Sequence, residues 1–190
     1  MQVHTNLQSF EFQIVKILPK YITKVSITSY ESVLYVSPFS FNNVLFFLKN
    51  NTNAQFKTLI DISCTDFPER ANRFEVNYHL LSIKYNKRLA IKTYTNEIHP
   101  LPSVVTIFKN ACWSEREVMD LFGVFFLNNP DLRRILTDYG FEGYPLRKDF
   151  PLSGYFEVRY DDNYKYIVHE SLELTQEFRF CEYMSPWEKK

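Results

Sequence analysis

Arg73-Phe74-Glu75-Val76-Asn77-Tyr78-His79-Leu80-Leu81 is the stretch from which the fold is read. Phe74, Val76, Tyr78 and Leu80 alternate with Glu75, Asn77 and His79, the period of two that a half-buried strand requires. On this pattern His79 falls on the polar face, so it reads as a solvent-facing residue rather than a ligand. Two neighbours extend the sheet. In Thr58 to Thr65, Ile60, Ile62 and Cys64 are expected on one face, and Leu89, Ile91 and Thr93 face one way in a following strand. Upstream, Lys24 to Ser29 and Ser32 to Ser37 read as two short strands, close enough across Ser29–Glu31 for a hairpin. Helical spacing of Leu7, Phe10, Ile14 and Leu18 places a helix over 5–18, stopped by Pro19. A second runs from a Ser40 cap to about Asn50, with Phe41, Val44, Leu45 and Leu48 inward. The order α-β-β-α-β-β-β makes the fold α+β, with helices packed on a sheet.

C-terminal to the sheet, Ile98 to Pro102 is a proline-bounded loop, and Ser103 to Phe108 is expected to form a short helix. Ser114-Glu115-Arg116-Glu117 has capping-box spacing, with Val118, Leu121 and Phe122 as the buried stripe and Gly123 at the left-handed closing position. Asn129-Pro130-Asp131 is built to start another helix that Gly140 would end. Beyond Gly140 no amphipathic period closes on itself. That stretch is nonetheless rich in Phe141, Tyr144, Phe150, Tyr155, Phe156, Tyr160, Tyr164 and Tyr166, which is costly surface to leave in water. The expected division is a core domain over 1–127 and an extended segment over 128–190 that docks elsewhere.

Composition narrows the function. In 190 residues, 22 basic and 22 acidic side chains leave no net charge, and residues 129–190 hold 9 basic against 12 acidic. Neither balance suits a nucleic-acid binder. No apolar run approaches the roughly 18 residues of a membrane span. Three cysteines, Cys64, Cys112 and Cys181, form no CxxC pair, which disfavours a local metal clamp and a secreted disulfide scaffold. The histidines have no metal-ligand spacing, and no glycine-rich phosphate loop or nucleophile elbow occurs. Abundant Phe (18) and Tyr (13) with only 4 Gly reflect AT-rich codons, and residues 1–69 hold no arginine. The skew suggests an organellar or bacterial gene. An imported precursor would begin with an Arg-rich leader, so either the chain is made in its own compartment or a leader is missing from this sequence. Glu115, Arg116, Glu117 and Asp120 crowd one helical turn. They read either as a solvated face with an Arg116–Asp120 pair worth roughly 0.3–0.5 kcal/mol, or as a face made for a partner.

The run Glu115-Arg116-Glu117-Val118-Met119-Asp120-Leu121-Phe122-Gly123, then Pro130-Asp131-Leu132-Arg133-Arg134-Ile135-Leu136-Thr137-Asp138-Tyr139-Gly140, then Pro145-Leu146-Arg147-Lys148-Asp149-Phe150-Pro151-Leu152, closely resembles the thirty-kilodalton subunit family of respiratory complex I. Gly154-Tyr155, Glu157-Val158-Arg159-Tyr160, Gln176-Glu177-Phe178-Arg179 and Ser185-Pro186-Trp187 continue the match. It is strong over about 76–187, while residues 1–70 agree only in element order. Asn129 and Tyr144 stand where the family pattern has histidine, and Ser171 where it has proline.

The resemblance implies a structural or assembly subunit of proton-translocating NADH:ubiquinone oxidoreductase, in the quinone-reducing module of the peripheral arm. It implies no catalytic residue and no cofactor in this chain, flavin and iron–sulfur clusters lying in partner subunits. The implied partner is the large subunit beside the quinone pocket. The implied place is the matrix side of the mitochondrial inner membrane, or the cytoplasmic side in a bacterium, with membrane association only through the complex. Glu115, Arg116, Glu117, Asp120, Asp131, Arg133, Arg134, Arg147, Lys148 and Asp149 are the candidate junction or interface residues. The competing expectations are an independent redox protein binding flavin or quinone, and an RNA-binding module using the tail.

Overall fold

The structure, a computed structural model, describes residues 3–28, 31–177, 179–181 and 187, with side chains from residue 10 onward in the first helix. The chain divides into two compact units, 1–147 and 148–190. Residues 128–147 thus belong to the first unit, and the division falls after Arg147 rather than at 127.

In the first unit, α1 (Val3–Ile17) leads into β1 (Ile22–Ile27) and β2 (Ser32–Val36). The two strands pair as the expected antiparallel hairpin, although Ser29 lies outside the described residues. A single 3₁₀ turn, Pro38–Ser40, precedes α2 (Phe41–Asn50). Ser40 occupies the N-cap position but its hydroxyl makes no capping bond. The four apolar residues read from the sequence, Phe41, Val44, Leu45 and Leu48, are the buried face of α2. Then come β3 (Thr58–Asp66), β4 (Phe74–Ser82) and β5 (Lys87–Thr95), an antiparallel meander. The sheet order is β1-β2-β5-β4-β3, closed by a parallel β2–β5 pairing.

The alternation along β4 holds: Phe74, Val76, Tyr78 and Leu80 are fully buried. On β3 one expectation fails. The register jumps between Leu59↔Leu80 and Asp61↔His79, which makes Ile60 the extra residue of a bulge. Leu59 and Ile62 are therefore buried while Ile60 is half exposed. Core residues of α1, α2 and the sheet form one cluster, joined by contacts such as Phe41 on Tyr78 at 4.4 Å between ring centroids.

Three further expectations are corrected C-terminal to the sheet. Residues 103–108 make hydrogen-bonded turns on the Val104 carbonyl, not a helix. The loop before them contributes β6 (Leu101–Pro102), which pairs in parallel with β7 (Phe126–Leu127). Between these, α3 spans Ala111–Phe122, so it starts before Ser114 and no capping box forms. The N-cap position is Asn110, whose amide instead reaches the Leu59 carbonyl at 2.7 Å. Gly123 does close the helix in the left-handed conformation, φ +77°. Residues 129–140 form turns, bends and irregular backbone rather than a helix. Asn129 keeps the local half of its role, since its side-chain oxygen accepts the Asp131 amide at 3.0 Å.

The second unit holds a hairpin the sequence reading lacked: β8 (Phe156–Asp161) against β9 (Tyr166–Ser171). Lys165, at φ +58°, makes the turn with its amide on the Asp161 carbonyl. Arg159 bonds Glu170 across the strands at 2.6 Å, an exposed pair of little energetic weight.

Candidate functional site

Helix α3 and the strap formed by residues 129–147 contain most of the charge that sequence reading singled out. The solvated-face reading of α3 is overturned: Glu115 and Asp120 are 0% exposed and Arg116 is 5% exposed. No Arg116–Asp120 pair forms, because each residue has partners in the strap.

Asp120 is an anion held in a ring of donors. Its carboxylate accepts the backbone amides of Ile135 (3.2 Å), Leu136 (2.7 Å) and Thr137 (3.0 Å). The Thr137 hydroxyl donates at 2.6 Å, and Arg134 Nη1 lies 3.4 Å away. Burial pushes the carboxyl up, but the Thr137 hydroxyl and the three amides outweigh it and hold it below the usual carboxylate range. Arg116 works in the opposite polarity. Its Nε donates to the Arg133 carbonyl at 3.0 Å, and its guanidinium lies 4.9 Å from the Trp113 ring. One helix thus grips both the carbonyls and the amides of the same strap.

Glu115 ties α3 to β6 and to the start of the strap. It accepts the Ser103 hydroxyl, the Val104 amide and the Asn129 side-chain amide, each at 2.7 Å. None of these donors is charged. Burial raises the carboxyl above its ordinary range, with the three hydrogen bonds pulling only part of the way back.

Beyond the strap's turn, Arg134 Nη1 donates to the Gly143 carbonyl at 2.9 Å, and its guanidinium faces the Tyr144 ring at 5.0 Å. Arg147 faces the same ring at 4.4 Å. Two guanidiniums near one phenol ring are favourable contacts, because each cation meets the ring quadrupole. Arg147 Nε also closes the helix, donating to the Phe122 carbonyl at 2.6 Å. Its other end meets Glu97 at 3.3 Å, and Glu97 in turn accepts Arg73 at 2.7 Å. Arg73 binds Asp66 through two bonds, 2.6 and 2.8 Å. Gly123 makes room for this packing, as a Cβ there would come within 2.5 Å of Arg147 Nη2.

Five of the ten candidate residues, Glu115, Arg116, Asp120, Arg134 and Arg147, come together in this lock. Glu117, Asp131 and Arg133 are exposed, the last two joined by a 3.0 Å ion pair. Lys148 and Asp149 are exposed in the second unit. Sequence reading missed Ser103, Thr137, Glu97 and Tyr144 as members of the lock. Only Tyr144 carried a signal, an aromatic residue three positions before Arg147. Among the described residues, no group of three or more His, Cys, Asp or Glu side chains is placed to hold a metal ion.

A small α+β fold of this kind has counterparts among solved subunits of respiratory complexes. The fold is similar to the solved trypsin-resistant fragment (1–134) of Nqo5, with a TM-score of 0.52 and 25% identity over 70% of this chain and all of that one. Residues 34–156, from β2 to the first residue of β8 and including the whole lock, match the family model of the respiratory-chain NADH dehydrogenase 30 Kd subunit. The chain belongs to that family. It is 55% identical over 183 residues to NADH-ubiquinone oxidoreductase subunit 9 of Reclinomonas americana, covering 96% of this chain and 90% of that one. It is 53% identical to the mitochondrial NADH dehydrogenase [ubiquinone] iron-sulfur protein 3 of Candida albicans, covering 96% of this chain and 66% of that protein. No helix among the described residues is long and apolar enough to cross a membrane.

Proposed function

We propose that this chain works as a structural subunit in the peripheral arm of NADH:ubiquinone oxidoreductase and has no redox centre of its own. Membership of the complex follows from the family. The role within it rests on one observation above the others, the exposed apolar surface of the second unit. A lone two-stranded hairpin is marginal in water. Phe156, Val158 and Tyr160 alternate along β8 and share a face with Ile167, the partner of Tyr160 on β9, and each is more than half exposed. Leu152, Tyr155, Tyr164 and Leu174 add to that surface. Apolar area of this kind belongs in an interface.

The partner we assign is the large subunit of the quinone module, with the second unit laid along it on the matrix side. The first unit supports this reading differently. Arg116, Asp120, Arg134 and Arg147 hold backbone rather than lining a cleft, which is a positioning task. The name iron-sulfur protein borne by one relative raises the question of a cluster. Such clusters take four cysteine thiolates, or two cysteines and two histidines, brought to one place, and no group of three or more such side chains placed to hold a metal occurs among the described residues. This chain has three cysteines, and burial, helped by the Asp66 charge, pushes the Cys64 thiol up to about 12. That donor set does not fit a cluster.

Blue-native electrophoresis of solubilised membranes tests the role. The expected result is comigration with an NADH-dehydrogenase-active band near the megadalton range. An assembled complex carrying Asp120→Asn should keep its full set of redox signals, because the residue acts on folding. Free migration of the chain, away from an active band that lacks it, would overturn the reading.

A further inference from the structure

The carboxyl ends of the parallel pair β2 and β5 open onto a cavity that the lock does not use. Its volume is about 720 Å³, and it lies between the Pro38–Ser40 turn, the 96–100 loop and the β6–β7 pair. Crevices outside the carboxyl ends of parallel strands are common binding places in mixed sheets. Phe39, Tyr94, His99, Pro100, Pro102 and Leu127 are among its thirteen lining residues, and none of the thirteen is Asp, Glu, Lys or Arg.

The charge boundary there is sharp. Asn72 and Asn96 line the cavity, whereas the next residue of each, Arg73 and Glu97, belongs to the ion-pair network that runs on to Asp66 and Arg147. A charge-depleted aromatic centre with charged residues beside it is the anatomy of a protein interface. Phe39, one of the lining residues, is 96% exposed, and Ile98, on the 96–100 loop that borders the cavity, is 83% exposed. A small molecule confined to the cavity would cover only the side of Phe39 that lines it and would not reach Ile98, which is not among the lining residues. Only a surface that approaches from outside covers both.

We infer that this cavity receives an uncharged, apolar polypeptide segment of another subunit of the complex, with Phe39 as the contact that segment covers. The inference rests on the reading of the chain as a complex subunit, and it adds an interface on the first unit to the one assigned to the hairpin. An uncharged occupant is favoured because a carboxylate or ammonium group entering the cavity would lose water and meet no Asp, Glu, Lys or Arg in the lining.

Phe39→Cys provides the test. The isolated chain and the purified complex are treated with N-ethylmaleimide, and labelling at position 39 is read by peptide mass spectrometry. Rapid labelling in the isolated chain is expected, with protection of at least about tenfold in the complex that survives delipidation. Phe39→Asp should leave the thermal midpoint of the isolated chain unchanged, because the side chain is exposed. It should lower incorporation into the megadalton band at least about tenfold, the factor that each 1.4 kcal/mol of lost affinity produces, and Phe39→Leu should restore it. Equal labelling in both states overturns the inference. So does protection that disappears with lipid, protection already present in the isolated chain, normal assembly of Phe39→Asp, or a charged segment found seated over Phe39. Failure of the wild-type chain to enter the complex would instead refute the function on which the inference rests.

Discussion

Asp120→Ala removes the acceptor at the centre of the lock. Three strap amides, the Thr137 hydroxyl and Arg134 lose their partner together. A buried donor left without an acceptor costs about 1–3 kcal/mol. The strap is only half-buried, so water can reach part of what is freed, and each amide should fall near the lower end of that range. The sum is about 3–5 kcal/mol, the size expected when one partner of a buried charge pair is removed. Asp120→Asn keeps one oxygen for the Ile135, Leu136 and Thr137 amides but loses the charge and the second acceptor, and should cost about 1–2 kcal/mol.

Hydrogen exchange in the full-length chain at pH 7 is the direct assay. The Ile135, Leu136 and Thr137 amides should exchange roughly a hundred- to a few-thousand-fold faster in Asp120→Ala. The β4 amides should change far less. Because the folded carboxyl lies below its unfolded value, its contribution is fully present above about pH 4 and lost as pH falls through the folded pKa. Lowering the pH toward 2 should therefore release the same three amides in the wild type. If exchange at these positions in Asp120→Ala stays within threefold of wild type at pH 7, the lock is not held by this carboxylate.

Glu115 has the opposite linkage. Its folded pKa is raised, so its stabilising contribution is complete below about pH 4.3 and lost as pH rises through the folded value. Glu115→Gln should gain relative to wild type as pH rises from 4 to 7 in urea unfolding, and parallel pH profiles would contradict the assignment. Gly123→Ala forces a side chain into the left-handed region and toward Arg147 and Tyr144. A loss of about 2–4 kcal/mol is expected in the same assay. The double variant with Arg147→Ala should lose less than the sum of the two single losses. With Ellman's reagent at pH 8, exposed Cys181 should react promptly and partly buried Cys64, its thiol pushed up to about 12, much more slowly until denaturant is added; equal rates would refute that placement.

The sheet and both N-terminal helices were legible because each buries one face against a common core, and burial on one face leaves a period in the sequence. The inward sets of α2 and β4 were read residue for residue. Ile60 was misplaced because a bulge breaks the period without a marker of its own. The hairpin did leave a trace: Phe156, Val158 and Tyr160 alternate with Glu157, Arg159 and Asp161 ahead of an Asp-Asp-Asn turn. Its aromatic neighbours obscured it. The lock was the hardest part to see. Glu115, Arg116 and Asp120 resemble an ordinary solvated helix face, because what neutralises them is mostly backbone, and backbone carbonyls and amides are the same whatever the residue. The Ser114–Glu117 spacing misled for a related reason. Any helix with a serine one turn before a glutamate fits it, and this one had already begun at Ala111.

The order in which the lock is built follows from chain polarity. During synthesis α3 leaves the ribosome before residues 133–137, so Arg116 and Asp120 at first face no carbonyls or amides of the strap. Water must solvate them until then, and α3 cannot bury its charged side. Glu115 differs, since two of its three donors, Ser103 and Val104, are already made. Helix α3 is therefore anchored first at its amino-terminal half. The half that includes Asp120 is sealed only once the strap has emerged, which makes completion of this unit a late event in translation.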